Sequence, residues 1–96
     1  MRVIRVGGLD LAVDGDRVSV DGRDVHLSGA PLAVLRALAE RPGHVVSRRD
    51  LMPHLPSGMA RSEHAVEVAV GRLRQALGGG VVQTVVKRGY RLATGT

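Results

Sequence analysis

The sequence has 96 residues, a formal net charge of +5, no cysteine, phenylalanine or tryptophan, and a single tyrosine. A chain of this length makes one domain that buries about two thirds of its unfolded surface; lacking cysteine it holds no disulfide or thiolate metal site, and lacking any membrane-length apolar run or signal-like N-terminal segment it is expected to be soluble and cytoplasmic. The near-absence of aromatic residues excludes the stacking platforms of single-strand binders, so a nucleic-acid partner would be a duplex.

From the N-terminus, residues 3–6, 9–13, 17–20 and 24–27 alternate or cluster β-forming residues, separated by Gly7-Gly8, Asp14-Gly15-Asp16 and Asp21-Gly22. Asp-Gly between short alternating runs is a hairpin signal, and a four-stranded antiparallel meander is expected. Ser28 opens a helix with Leu32, Leu35, Leu38 and Ala39 in one stripe and Val34 on its flank. Pro31 fits its first turn, and Pro42-Gly43 ends it. Ser47-Arg48-Arg49-Asp50 has the form of a capping box with Asp in place of Glu, and starts a short helix ending near His54 or Leu55. Pro56 and Gly58 make 55–61 a loop. Ser62 is the N-cap expected for the longest helix, 63–77, with Glu63 near the positive end of its dipole. Gly78-Gly79-Gly80 reads as its C-cap and turn, since phosphate-binding glycine loops precede helices. Residues 81–86 and 90–93 form two strands joined by Lys87-Arg88-Gly89, a turn carrying two positive charges.

The charge is unevenly distributed. Residues 1–47 carry six arginines against six acids, whereas 48–96 carry eight basic residues (Arg48, Arg49, Arg61, Arg72, Arg74, Lys87, Arg88, Arg91) against Asp50, Glu63 and Glu67. A high-GC genome explains arginine over lysine but not this asymmetry, which points to a polyanionic partner for the second half. Along 63–77, at about 100° per residue, Val66, Val70, Leu73 and Leu77 form a core stripe with Ala69 beside it. Opposite lie His64, Val68, Gly71 and Gln75, with Arg72 at one edge and Arg74 nearer the core's flank. A merely solvated face favours Glu, Lys and Ala. This set suits a major groove, where Arg grips guanine, Gln pairs with adenine and Val touches a thymine methyl. Gly71 costs roughly 1 kcal/mol of helix propensity against Ala and fits a close approach. The plainer alternative packs Val68 under a loop and pairs Arg72 and Arg74 with Glu67 or neighbouring acids. Lys87 and Arg88 at the hairpin tip are placed for a phosphate backbone or the adjacent minor groove.

Other chemistry finds no pattern. His26, His44, His54 and His64 lack metal-site spacing; Ser47 and Ser62 read as caps; Asp14, Asp16, Asp21 and Asp24 lie in turns where Asp is locally favoured. No enzyme activity, metal or cofactor is expected.

In this order and after a four-stranded sheet, VVSRRDLMPHL, VEVAVGRLRQAL and VVQTVVKRGYRL resemble the OmpR/PhoB-type winged-helix domain, the effector domain of many bacterial response regulators of two-component systems, over essentially all 96 residues. The resemblance implies an α+β fold: a winged helix-turn-helix with an N-terminal four-stranded antiparallel sheet (1–27), a three-helix core (28–77) and a C-terminal β-hairpin wing (81–93), all in one domain, 1–96. It makes 63–77 the recognition helix, and 53–61 the loop that contacts RNA polymerase in some members. His64, Val68 and Arg72 match positions facing bases or the adjoining backbone, Arg74 matches a DNA-contacting arginine, and Tyr90 matches a structural wing tyrosine. Gln75 joins the base-facing set, and Arg48, Arg49, Arg61, Arg74, Lys87 and Arg88 form the phosphate-contacting set. The sequence departs from the family pattern at Gly71, usually basic. In a wing that typically reads T-V-R-G-x-G-Y-R, Val86 takes the arginine position and the charge moves to Lys87 and Arg88. Pro31 replaces the acid of the usual first-helix opening, and the loop before the recognition helix has Pro56 but no Trp.

A receiver domain needs roughly another hundred residues upstream, so the chain is expected to be an excised or standalone effector domain. TVVKRGYRLA also resembles domains fused behind uroporphyrinogen-III synthase-like modules. The expected function is sequence-specific binding of double-stranded DNA for transcriptional regulation, on repeated half-sites, by a chain that is monomeric in solution and pairs on DNA. Gly71, the displaced wing charge and Val68 motivate the alternative, a winged-helix protein-interaction module with weak, non-specific DNA affinity.

Overall fold

The computed structural model describes residues 2–94. It runs β1 (Arg2–Val6), β2 (Leu9–Asp14), β3 (Arg17–Val20), β4 (Arg23–Val25), α1 (Gly29–Glu40), α2 (Arg48–Leu51), a 3₁₀ turn (Met52–His54), α3 (Glu63–Leu77), β5 (Val82–Val85) and β6 (Gly89–Leu92). This is the expected winged helix-turn-helix order, with an N-terminal antiparallel meander β1-β2-β3-β4 and a separate β5-β6 hairpin.

Strand alternation sorts the meander's two faces. Ile4, Val6, Leu11, Val18 and Val20 point inward and are buried, while Val3 stays 60% exposed on the outer side. Asp21 and Gly22 both take positive φ, 50° and 83°, giving the two-residue turn whose twist suits an antiparallel pair. Asp21 also closes onto β2: its N–H donates to the Asp10 carbonyl at 2.9 Å and its Oδ1 accepts from the Asp10 N–H at 2.8 Å. That turn pairs Val20 with Arg23, so the ladder ends at Val18–Val25, and β4 covers Arg23–Val25 rather than 24–27. Arg2 donates to the Ala39 carbonyl in the last turn of α1, a cation at the negative end of that helix.

Helix α1 buries Val34, Leu35, Ala37, Leu38 and Ala39, while Leu32 is half-buried. Val34 is therefore core rather than flank. The reason is packing on several sides: α1 lies against α3, β6 and the 3₁₀ turn, which widens its buried arc. The two later helices start at the predicted caps. Ser47 Oγ accepts from the Asp50 N–H, and Ser62 Oγ from the Ala65 N–H, each at 3.0 Å. Helix α3 has the expected limits, its stripe of Val66, Ala69, Val70, Leu73 and Leu77 is buried, and Gly78, at φ 99°, donates its N–H to the Arg74 carbonyl.

The wing is narrower than the apolar run suggests. Val85 pairs with Gly89, which leaves Val86, Lys87 and Arg88 as the tip, with Val86 76% exposed. At its base Ala93 donates to the Val81 carbonyl, and the Gly7 N–H donates to the Ala93 carbonyl, joining the wing to the N-terminal sheet. Midway, Val46 and Tyr90 exchange both backbone hydrogen bonds, at 2.8 and 3.0 Å. The bridge brings the chain so close at Gly89, φ 143°, that a Cβ there would stand 2.1 Å from the Val46 carbonyl oxygen. The wing is thus fastened to the segment that leads into α2. One hydrophobic cluster, including Val6, Leu11, Leu38, Leu51, Leu73 and Leu92, joins sheet, helices and wing.

Candidate nucleic-acid interface

Because α3 packs through one stripe, its opposite face is left to solvent. His64, Val68, Gly71, Arg72 and Gln75 are all exposed, and Val68, at 42%, is not covered by a loop. Nothing lies within 4 Å of where a Cβ on Gly71 would sit, so the glycine answers no need of the chain's own packing.

The acids of α3 pair elsewhere than with Arg72. Glu67 Oε2 accepts from Arg48 Nη1 at 2.7 Å, Glu63 Oε1 is 3.5 Å from Arg48 Nε, and Glu67 Oε1 stands 3.6 Å from His64 Nδ1. Arg48 thereby ties α2 to α3. No salt bridge reaches Arg72 among the described residues. Arg72 and Gln75 border an open cleft of about 400 Å³ together with His26, Ser28 and Pro31 at the start of α1. That start has no acidic residue in its first turn and no side-chain cap from Ser28, so the positive end of α1 adds to the potential around Arg72.

The phosphate candidates divide into two groups. Arg49, Arg61, Lys87 and Arg88 are exposed. Lys87 and Arg88 are brought beside Arg48 and Arg49 across a shallow 130 Å³ cleft, with Glu63 and Ser47 at its edge; the Val46–Tyr90 bridge sets this meeting of wing tip and α2. Arg48 and Arg74, by contrast, are engaged within the chain. Arg74 is half-buried and turned toward the wing: its Nε and Nη2 donate to the Val82 carbonyl at 3.2 and 3.0 Å, and Nη2 also donates to Thr84 Oγ1 at 2.6 Å. Its Cζ lies 5.9 Å from the centre of the Tyr90 ring. Sequence reasoning missed this tie, the Arg48–Glu67 pair and the closure at Gly89. The one local signal for any of them was a glycine directly before the tyrosine.

Lys87 itself takes φ 64° at the tip, a left-handed conformation that disfavours side chains other than Gly and Asn. No helix among the described residues is long and apolar enough to cross a membrane.

Comparison with known proteins gives one consistent grouping. A family model described as "Transcriptional regulatory protein, C terminal" matches residues 22–92. The cell cycle transcriptional regulator CtrA of Caulobacter vibrioides is 31% identical over 96 residues, covering 94% of this chain and 42% of the relative. The phosphate regulon transcriptional regulatory protein PhoB of Pseudomonas aeruginosa is 33% identical over 95 residues, covering 95% and 42%. The chain therefore spans about two fifths of the length of these curated relatives. Among solved structures, the Klebsiella pneumoniae RstA DNA-binding domain, in complex with its RstA box, superposes with a TM-score of 0.70 at 29% identity, covering 97% of this chain and 98% of that one.

Proposed function

The chain belongs to the OmpR/PhoB-type family of transcriptional regulatory protein C-terminal domains, and from that membership we propose that it binds double-stranded DNA sequence-specifically for transcriptional regulation, with α3 in the major groove and wing residues 86–89 on the flanking backbone or minor groove. The observation that carries this reading is the uncovered face of α3: His64, Val68, Arg72 and Gln75 stand in solvent, with cations from three other segments at its margins. A major groove admits one α-helix, and these side chains offer a donor fork, an amide and an apolar contact to base edges. Arg49, Arg61, Lys87 and Arg88 supply phosphate contacts, which fix register and most of the affinity. Arg48 contributes less, because Glu67 offsets its charge.

A single helix reads few base pairs, so the operator is a pair of half-sites, about one helical turn apart, each taken by one copy of the domain. The loop of residues 53–61, exposed from Ser57 onward and carrying Met59, leaves a surface open to a polymerase contact of the kind some family members make.

Selection of bound fragments from a random duplex pool at roughly physiological salt, followed by sequencing, tests the reading. Recovery of one motif in tandem supports it. An unenriched pool, with binding that disappears as salt rises, overturns it and leaves the protein-interaction reading. The exposed Val68 and Val86 favour that second reading, in which Val68→Asp abolishes capture of a partner protein.

A further inference from the structure

We infer that Arg74 is a positioning residue that locks the wing to the recognition helix, rather than a phosphate contact; the inference rests on the DNA-binding reading above. A guanidinium presents its donors in one rigid plane. The edge formed by Nε and Nη2 is fully used, on the Val82 carbonyl and the Thr84 hydroxyl. A bidentate grip on phosphate through that edge would release both wing acceptors.

The placement of this tie gives it leverage. Thr84 pairs with Tyr90 in the hairpin register, and Arg74 donates to the first while lying over the ring of the second, within cation–π range. A single side chain of α3 thus holds both wing strands at one rung. Only the Val85–Gly89 rung separates it from the tip that carries Lys87 and Arg88. A two-stranded ribbon alone is marginal in water. Outward of its buried base, this wing has two further anchors, the Tyr90–Val46 bridge and Arg74. Arg74 is the one that starts from the recognition helix, two residues from Arg72 and next to Gln75. It therefore fixes the distance between base-reading side chains and wing cations. That fixed spacing removes an ordering cost on binding and selects which phosphates Lys87 and Arg88 meet for a given base register.

Arg74→Lys keeps the charge and loses the fork; Arg74→Gln loses both. Each is measured on the selected site across a salt series, alone and combined with Lys87→Ala/Arg88→Ala, with amide exchange of β5 and β6 recorded on the free protein. A lock predicts that both Arg74 variants speed wing exchange and weaken binding to the same extent. The salt slope falls by the wing's share, about 0.9 per lost contact. Adding Lys87→Ala/Arg88→Ala then costs little more, and the preference set by Arg72 survives. Three results overturn the lock: a Lys variant that binds like wild type while the Gln variant loses a slope of about 0.9, as for a phosphate contact; a uniform loss that takes the base preference with it, as for general destabilisation; or wing exchange unchanged in both variants. If wild-type protein selects no sequence at all, the DNA reading itself has failed, and the exchange measurement on free protein still decides whether the lock exists.

Discussion

Arg72 and Arg74 sit two residues apart on α3, about 160° around its axis, and that angle separates their work. Arg72 is exposed beside Gln75, whereas Arg74 is half-buried and spends its donors on the wing. On the proposed reading, truncating Arg72 removes a base contact without disturbing the fold. Arg72→Ala is therefore expected to cost roughly 1–3 kcal/mol of affinity on the preferred site and to relax selectivity at one base position. A loss of equal size on every sequence, measured by repeating the selection with the variant, would remove its base-reading role. Lys87 poses the opposite case, in which the side chain and the backbone want different things. At φ 64° a lysine is strained by roughly 1 kcal/mol relative to glycine. Lys87→Gly should raise the denaturation midpoint while lowering the salt slope of DNA binding by about 0.9. If stability falls instead, the left-handed turn is not strained. If the slope is unchanged, Lys87 meets no phosphate.

At the scale of elements, what was legible in the sequence is what local chemistry decides. Serine caps, a terminating glycine and a stripe at helical spacing located α3 to the residue and predicted which side of it is buried. The first helix was read less well, because Val34 is buried by partners on several sides and no periodicity within 29–40 reveals how many neighbours a helix has. Contacts between distant segments were not legible at all. By sequence Gly89 is a turn residue, yet its conformation and its missing side chain are both needed where the wing meets Val46. Gly89→Ala would place a methyl group against that carbonyl and force the Val46–Tyr90 bridge apart. The combined strain and lost hydrogen bonds are expected to destabilise the domain by roughly 2–4 kcal/mol, read as a lower urea midpoint with faster amide exchange at Tyr90. An unchanged midpoint would show that the bridge contributes nothing. Gly71 carries no such requirement, so nothing in the chain's own packing offsets its helix cost.

For the whole molecule the uneven charge becomes an uneven division of labour. The sheet in residues 2–25 carries no excess of cations, its Arg5 pairing with Asp10 at 2.9 Å, and serves the core through Val6 and Leu11. The excess cations belong to the second half, where Glu63 and Glu67 neutralise Arg48 and internal hydrogen bonds occupy Arg74. Counting charge alone overstates the proposed footprint: of the eight basic residues after residue 47, Arg49, Arg61, Lys87 and Arg88 are the phosphate contacts of the proposed reading and Arg72 its base reader, while Arg91 donates to Gln83 within the wing. Four phosphate contacts give a slope of log affinity on log salt of about −3.6 per domain. Affinity for one half-site should then fall roughly 150-fold between 50 and 200 mM salt, with about twice that slope for a tandem site holding two copies. A slope near about −5.4, as if Arg48 and Arg74 engaged phosphates as well, would mean that DNA breaks the Arg48–Glu67 and Arg74–wing contacts on binding, and that the helix and wing are not docked as the preformed unit seen in the free chain.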